Sequence, residues 1–200
     1  MTSSGSTKCT NASFSERTLP QRIVLTGFMG AGKTTLGSLL AQKLGWTFID
    51  LDDEIVRAER RTIAAIFESD GEPAFRELEH IALTHTLAQS HIVLALGGGA
   101  MENASNLPLL TKEAGTLLVY LQAPLEILVA RCEQQQQTQS QAAHRPVLAN
   151  RAELKARFLR RLPLYQSAHW TIDTAERSAD DIVQTILMEW ASIASDVQGT

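Results

Sequence analysis

The sequence predicts an α/β fold in which a parallel sheet is covered by helices on both faces. Three observations carry that expectation. Short apolar runs alternate with longer segments of helical spacing along the chain. The runs are continuously apolar, as strands buried on both faces are. A glycine-rich loop joins the first run to the first helical segment, the context a phosphate-binding strand–loop–helix unit requires.

Arg22-Ile23-Val24-Leu25-Thr26 is the first strand, bounded by Gly27. From Lys33 to Leu44, Leu36, Leu39, Leu40 and Leu44 recur at helical spacing, and Gly45 offers a C-cap. Thr47-Phe48-Ile49-Asp50 is the second strand. Asp52 to Ser69 is a charged, broken helical stretch. Glu72 to Ala88 is a longer helix, with Phe75, Leu78, Ile81, Ala82 and Leu87 on or near one face. His91 to Leu96 is the third and most apolar strand and ends in Gly97-Gly98-Gly99. Thr116 to Leu121 is the fourth. A helix follows Pro124, whose missing N–H is harmless in a first turn. A Gln-rich stretch then runs from Glu133 to His144. A helix from about Glu153 to Tyr165, a strand Thr171–Asp173 and a helix from Ala179 to about Ala194 complete the pattern.

Composition narrows the function classes. Hydrophobic residues make up 44% and charged residues 20%, ordinary values for a globular core. The net charge of -4 disfavours nucleic acid or an anionic membrane surface as partner. No apolar run approaches the roughly 20 residues a bilayer span needs. Two cysteines, Cys9 and Cys132, cannot form a disulfide framework or a Cys-rich zinc site, so a reducing, cytoplasmic setting is expected. The length fits one domain, residues 21–195, between a disordered N-terminal tail (1–20, rich in Ser, Thr and Asn) and a short C-terminal tail (196–200).

Gly27-Phe28-Met29-Gly30-Ala31-Gly32-Lys33-Thr34 fits G-x-x-x-x-G-K-[ST]. Glycines let backbone N–H groups converge on phosphate oxygens, and the following helix N-terminus adds partial positive charge. Lys33 can neutralise β- and γ-phosphates, and the Thr34 hydroxyl can ligate Mg²⁺. Asp50 ends a strand and Asp52 follows two residues on, where ligands bind in open α/β sheets. Spacing alone leaves two readings open. The pair could divide Mg²⁺ binding from proton acceptance, or form an acidic helix N-terminus with Asp53 and Glu54. Arg76 lies among Glu72, Glu77 and Glu79, and Arg161 lies beside Arg157 and Arg160. By spacing alone these fit an ordinary intrahelical ion pair and a solvated basic face. The glycines after Leu96 permit close ligand approach at a strand's carboxyl end.

These motifs occur in one order. GFMGAGKTT is followed by Phe48-Ile-Asp-Leu-Asp-Asp-Glu-Ile55, Ile66-Phe-Glu-Ser-Asp-Gly-Glu72, Phe75-Arg-Glu-Leu-Glu79, Leu96-Gly-Gly-Gly-Ala100, Arg145-Pro-Val-Leu148 and Arg161-Leu-Pro-Leu-Tyr165. The series resembles shikimate kinase from about Arg22 to Trp190. The resemblance implies a P-loop kinase fold with a five-stranded parallel sheet and a mobile lid, related to nucleoside monophosphate kinases. It implies transfer of the γ-phosphate of ATP to the 3-hydroxyl of shikimate, with Mg²⁺, in aromatic amino-acid biosynthesis, by a monomer.

The resemblance also implies residue roles. Gly30, Ala31, Gly32, Lys33, Thr34 and Thr35 would bind ATP, with Arg131 near the adenine and Arg145 closing on the phosphates. Thr34 and Asp50 would sit at the metal. Asp52 would be the base and bind substrate hydroxyls, with Lys33 and Arg145 as its catalytic companions. Arg76 and Arg161 would grip the substrate carboxylate, for which a guanidinium fork suits better than an ammonium. Gly97, Gly98 and Gly99 would approach the substrate, Glu79 would support the substrate arginine, and Phe67 and Phe75 would wall the pocket. Residues of about 52–88 would form the substrate-binding segment and about 131–149 the lid, with Arg131 to Arg145 as a flap that excludes water. A related kinase for another small polyol acid such as gluconate, and a nucleotide-sensing domain without catalysis, are the competing readings.

Overall fold

The computed structural model describes residues 8–9, 19–138 and 150–198. Its strands are β1 (Lys8–Cys9), β2 (Arg22–Thr26), β3 (Thr47–Asp50), β4 (Ile92–Ala95), β5 (Thr116–Gln122) and β6 (Trp170–Asp173), in the spatial order β1-β6-β5-β2-β4-β3. β2 through β6 pair in parallel, with Val24 opposite both Leu94 and Leu118 at the centre. The five parallel strands are those expected, with His91 and Leu96 outside β4. His91 carries a positive φ of 59°, which takes it out of the strand.

The helices are α1 (Lys33–Leu44), α2 (Leu51–Glu59), α3 (Ile63–Ser69), α4 (Gly71–Leu87), α5 (Asn106–Thr111), α6 (Leu125–Thr138), α7 (Arg151–Tyr165) and α8 (Ala179–Gln198), with a 3₁₀ turn at Ala100–Glu102. The broken stretch before α4 is two helices. α2 ends at Arg60, which is left-handed at φ 54°, and the Thr62 side chain caps α3. The sheet centre is the core: Ile23, Val24, Leu25, Val93, Leu94, Leu117, Leu118 and Val119 are fully buried. Each such side chain contributes about 1.5–3 kcal/mol by leaving water, which offsets the entropy of ordering the chain. α1 packs tightly on this sheet, because a Cβ on Gly37 would lie 2.4 Å from the Phe48 ring.

Three expectations need correction. Within the segment read as a disordered tail, Lys8–Cys9 form β1, which pairs antiparallel through Lys8 with Thr171 and Cys9 with Trp170, while residues 1–7 and 10–18 lie outside the described residues. Strand pairing of this kind uses only backbone groups, to which composition is blind. The Gln-rich stretch is helical through Thr138, as the continuation of α6, because unbranched Gln is a good helix former. Arg131 therefore sits on a helix, and the flap residues 139–149, Arg145 among them, lie outside the described residues. α8 runs through Gln198, past the expected end of the domain. Cys132 is a buried thiol.

Candidate active site

The phosphate loop leaves β2 at its carboxyl end, at the centre of the sheet where strand order reverses. Gly27, Gly30 and Gly32 have φ of 144°, 76° and 88°, values that L side chains avoid. Gly30 is also hemmed in, since a Cβ there would lie 2.4 Å from the Leu128 carbonyl oxygen and 2.9 Å from Cys132 Sγ. α6 thus holds the loop from behind. Lys33 Nζ donates to the carbonyl oxygens of Gly27 (2.9 Å) and Phe28 (3.2 Å), which curls the loop around its ammonium.

Asp50 closes the next strand and works on both sides. Its Oδ2 accepts from Thr34 Oγ1 at 2.9 Å, and its Oδ1 accepts from the Asp52 backbone N–H at 3.2 Å as the N-cap of α2. Asp52 faces inward from the first turn of that helix. Burial raises its pKa above the ordinary aspartate value, repulsion by Asp50 adds to this, and Lys33 works against both. Asp50 is thus a helix N-cap whose second oxygen joins the Thr34 hydroxyl, which fits the acidic helix N-terminus read from the spacing.

The glycine turn after β4 is where the distant residues converge. A Cβ on Gly97 would lie 2.6 Å from Asp52 Oδ1 and 3.2 Å from Glu79 Oε1. A Cβ on Gly99 would lie 2.7 Å from Arg76 Nη2 and 3.0 Å from Arg161 Nη2. One turn thus meets the acid, its neighbour Glu79 and both guanidiniums. The Tyr165 hydroxyl donates to the Gly98 carbonyl at 2.6 Å and holds the turn from below.

Each arginine is set by acids. Arg76 donates to Glu79 and to Glu72, both at 2.9 Å. Glu79 is 1% exposed, and burial raises its pKa against the pull of Arg76. Arg161 donates through Nε (2.7 Å) and pairs through Nη2 (2.6 Å) with Glu102 Oε2, while Arg160 Nε reaches Oε1 of the same carboxylate at 2.9 Å. Phe75 is buried under the Arg76 guanidinium, 5.3 Å from ring centre to carbon, and meets Phe67 at 4.7 Å between ring centres with the rings tilted by 33°. Phe75 supports Arg76, and neither ring nor Arg76 is among the residues lining the main cleft; Arg76 lines a neighbouring cavity with Glu72, Glu102 and Arg160.

That cleft, of about 500 Å³, is lined by Lys33, Thr34, Asp52, Gly97 to Gly99 and Arg161, with Asp50 and Asp53 at its side. A second cleft of about 620 Å³ lies across the loop, between Gly30 to Gly32, Thr35, Arg131, Thr174 and Arg177. The two share Gly30, Gly32, Thr35 and Gln135, so a ligand phosphate on the loop would bridge them. Arg131 is anchored there by hydrogen bonds to Thr174 Oγ1 (3.1 Å) and the Ala175 carbonyl (3.2 Å). The sequence reading missed Glu102, Tyr165 as a brace, Thr174 and Arg177.

The shikimate kinase family model matches residues 29–191. A shikimate kinase of Persephonella marina is 39% identical over 168 residues, 84% of this chain and 97% of its own. Among solved structures, a shikimate kinase from Acinetobacter baumannii in complex with shikimate is 39% identical with a TM-score of 0.76, covering 88% of this chain and 95% of that one. The shikimate kinase of Aquifex aeolicus is 32% identical with a TM-score of 0.73, covering 86% and 98%. Sequence and fold agree over nearly the full length of these relatives, and the chain belongs to the shikimate kinase family.

Proposed function

We propose that the residues converging on the glycine turn divide the work of the family's reaction in this chain. That reaction is ATP-dependent phosphorylation of the 3-hydroxyl of shikimate, giving shikimate 3-phosphate and ADP in aromatic amino-acid biosynthesis. The observation that supports this division is the meeting of Asp52, Arg76 and Arg161 around Gly97 to Gly99, beside Lys33.

Gly30, Ala31, Gly32, Thr34 and Thr35 hold the ATP phosphates, and Lys33 neutralises charge that develops on them. The adenine of ATP would take the larger cleft beside Arg131. Arg76 and Arg161 take the substrate carboxylate, which turns the ring so that a hydroxyl faces Asp52. Asp52 accepts the hydroxyl proton as the oxygen bonds to the γ-phosphorus and ADP leaves. Glu79 holds Arg76 in place, and Gly97 to Gly99 leave room for the ring. Arg145, beyond the described residues, is assigned the role of the lid cation over the phosphates. The Thr34 hydroxyl and Asp50 carboxylate form an all-oxygen donor pair, 2.9 Å apart, that suits a hard cation. Mg²⁺ held there would supply further neutralisation of the β- and γ-phosphates. The proposal includes a monomer in a reducing, cytoplasmic setting, which the buried Cys132 thiol suits. No helix among the described residues is long and apolar enough to cross a membrane.

ADP release with and without shikimate, in the presence of Mg²⁺, tests the reading. Release that depends on shikimate is expected. ATP binding with no shikimate-dependent ADP release would overturn it and favour a nucleotide-sensing domain.

A further inference from the structure

We propose that Glu102 is a positioning residue for the carboxylate grip, and that Arg160 keeps it from cancelling the charge of Arg161. The proposal rests on the reading of Arg161 as a substrate-carboxylate ligand. Glu102 sits in the 3₁₀ turn after the glycines, and its backbone N–H donates to the Gly99 carbonyl at 2.9 Å. One carboxylate thereby ties the glycine turn to α7.

The geometry of the contact decides what it does. A guanidinium presents five N–H donors in one plane. Glu102 Oε2 takes the Nε and Nη2 side, at 2.7 and 2.6 Å. The remaining donors of Nη1 and Nη2 form the end of the fork. That end faces the turn, since Cβ atoms on Gly98 and Gly99 would lie 3.4 Å from Nη1 and 3.0 Å from Nη2. Glu102 therefore fixes the plane of the guanidinium without taking the edge that suits a bidentate carboxylate, and a further hydrogen bond joins Arg161 to the Tyr165 hydroxyl. An arginine with several rotatable bonds would otherwise be ordered only when the ligand arrived, at the expense of affinity.

A carboxylate beside a carboxylate-binding site also repels its ligand. Arg160 answers that objection. Its Nε donates to Glu102 Oε1 at 2.9 Å, so the charge of Glu102 is matched by a second cation, which is outside the lining of the main cleft and shares a neighbouring cavity with Arg76 and Glu102. Arg161 keeps a net attraction for an incoming anion. Burial alone would raise the pKa of Glu102, but hydrogen bonds from Arg161 and Arg160 outweigh it and hold the group below the ordinary glutamate value. It stays ionised throughout the neutral range.

Steady-state kinetics of Glu102→Ala, Glu102→Gln, Arg160→Ala and Arg161→Ala test this, with Arg157→Ala on the same helix as a control. Glu102→Ala is expected to raise KM for shikimate about tenfold, with kcat and KM for ATP changed less than about twofold. Glu102→Gln, which keeps an acceptor, recovers part of the loss. Arg160→Ala raises the shikimate KM by a smaller factor, and Arg157→Ala leaves it unchanged. A shikimate KM that is unchanged or lowered in Glu102→Ala, while Arg161→Ala raises it, overturns the positioning role and leaves the grip intact. A shikimate KM unmoved in Arg161→Ala removes the grip itself. Equal losses toward shikimate and ATP together with a lower Tm mean a merely structural residue and also overturn the proposal.

Discussion

The Asp52 carboxylate lies against Gly97 so closely that a single methyl there would stand 2.6 Å from Oδ1. The two residues follow neighbouring parallel strands, β3 and β4, and meet at the carboxyl end of the sheet. A side chain at position 97 would displace the acid on which proton transfer depends.

Gly97→Ala is therefore expected to fold, since its φ is not among the positive ones, and to lose at least about tenfold in kcat. ATP affinity should hold, because the phosphate loop is untouched. Circular dichroism, ATP titration and turnover measure the three quantities. Full turnover would show that Asp52 has room to move and still act.

Asp52→Ala should abolish turnover while ATP still binds. Activity near the parent level in this variant would take Asp52 out of the mechanism. The Asn variant carries a second expectation, about stability. The folded state raises the pKa of Asp52, chiefly by burial and then through Asp50, so it binds this proton more tightly than the unfolded chain does. The contribution of Asp52 is thus favourable at acid pH and is lost as pH rises through the folded-state value. Asp52→Asn should accordingly have a higher Tm than the parent at neutral pH, with the difference shrinking in acid.

The same shift sets the acid limb of the rate. Ionised Asp52 is the acceptor, so kcat/KM should fall as pH drops through its raised pKa, at a higher pH than an ordinary aspartate would give. A pH–rate profile with an acid limb at the ordinary aspartate value would contradict the buried environment described for this group.

Arg76→Lys and Arg161→Lys should each weaken shikimate binding more than ATP binding. Arg161 is buried, and losing one partner of a desolvated pair costs about 3–5 kcal/mol, two or more decades in affinity. An ammonium restores charge without the planar fork, so the Lys variants should fall short of the parent. Calorimetric titration with each ligand separates the two losses, and equal losses would sink the carboxylate assignment.

Gly30→Ala should be poorly folded or unable to bind ATP. Its φ is 76°, and an added methyl would stand 2.4 Å from the Leu128 carbonyl oxygen, a backbone atom that no side-chain rotation can move aside. Thermal denaturation with and without ATP measures both effects.

Much of this was legible in the amino-acid string because it is written in local patterns. β2, β4 and β5 are apolar runs with no alternation, and α1 has leucines at helical spacing between two glycines. Lys33, Asp50 and Asp52 sit within short motifs next to strand ends. Arg76 and Arg161 could be named only through the ordered series of motifs, since each by itself fits a surface ion pair. Glu102 had no such signal. Its partner Arg161 is 59 positions away, and a lone acid after a glycine turn has no periodicity to read. Thr174 and Arg177 were hidden for a related reason, as polar residues of a strand-to-helix turn that become cleft walls only when α6 lies opposite. α5 is six residues long, too short to announce itself by spacing.

The two-residue β1 has an effect out of proportion to its size. β6 would otherwise end the sheet with unpaired N–H and C=O groups, the template on which separate chains join edge to edge. Lys8 and Cys9 occupy Thr171 and Trp170 of that border and set a strand of opposite direction across it. Along those two positions the border of β6 is thereby a selvedge, closed by backbone of this same chain, while β3 forms the opposite edge of the sheet.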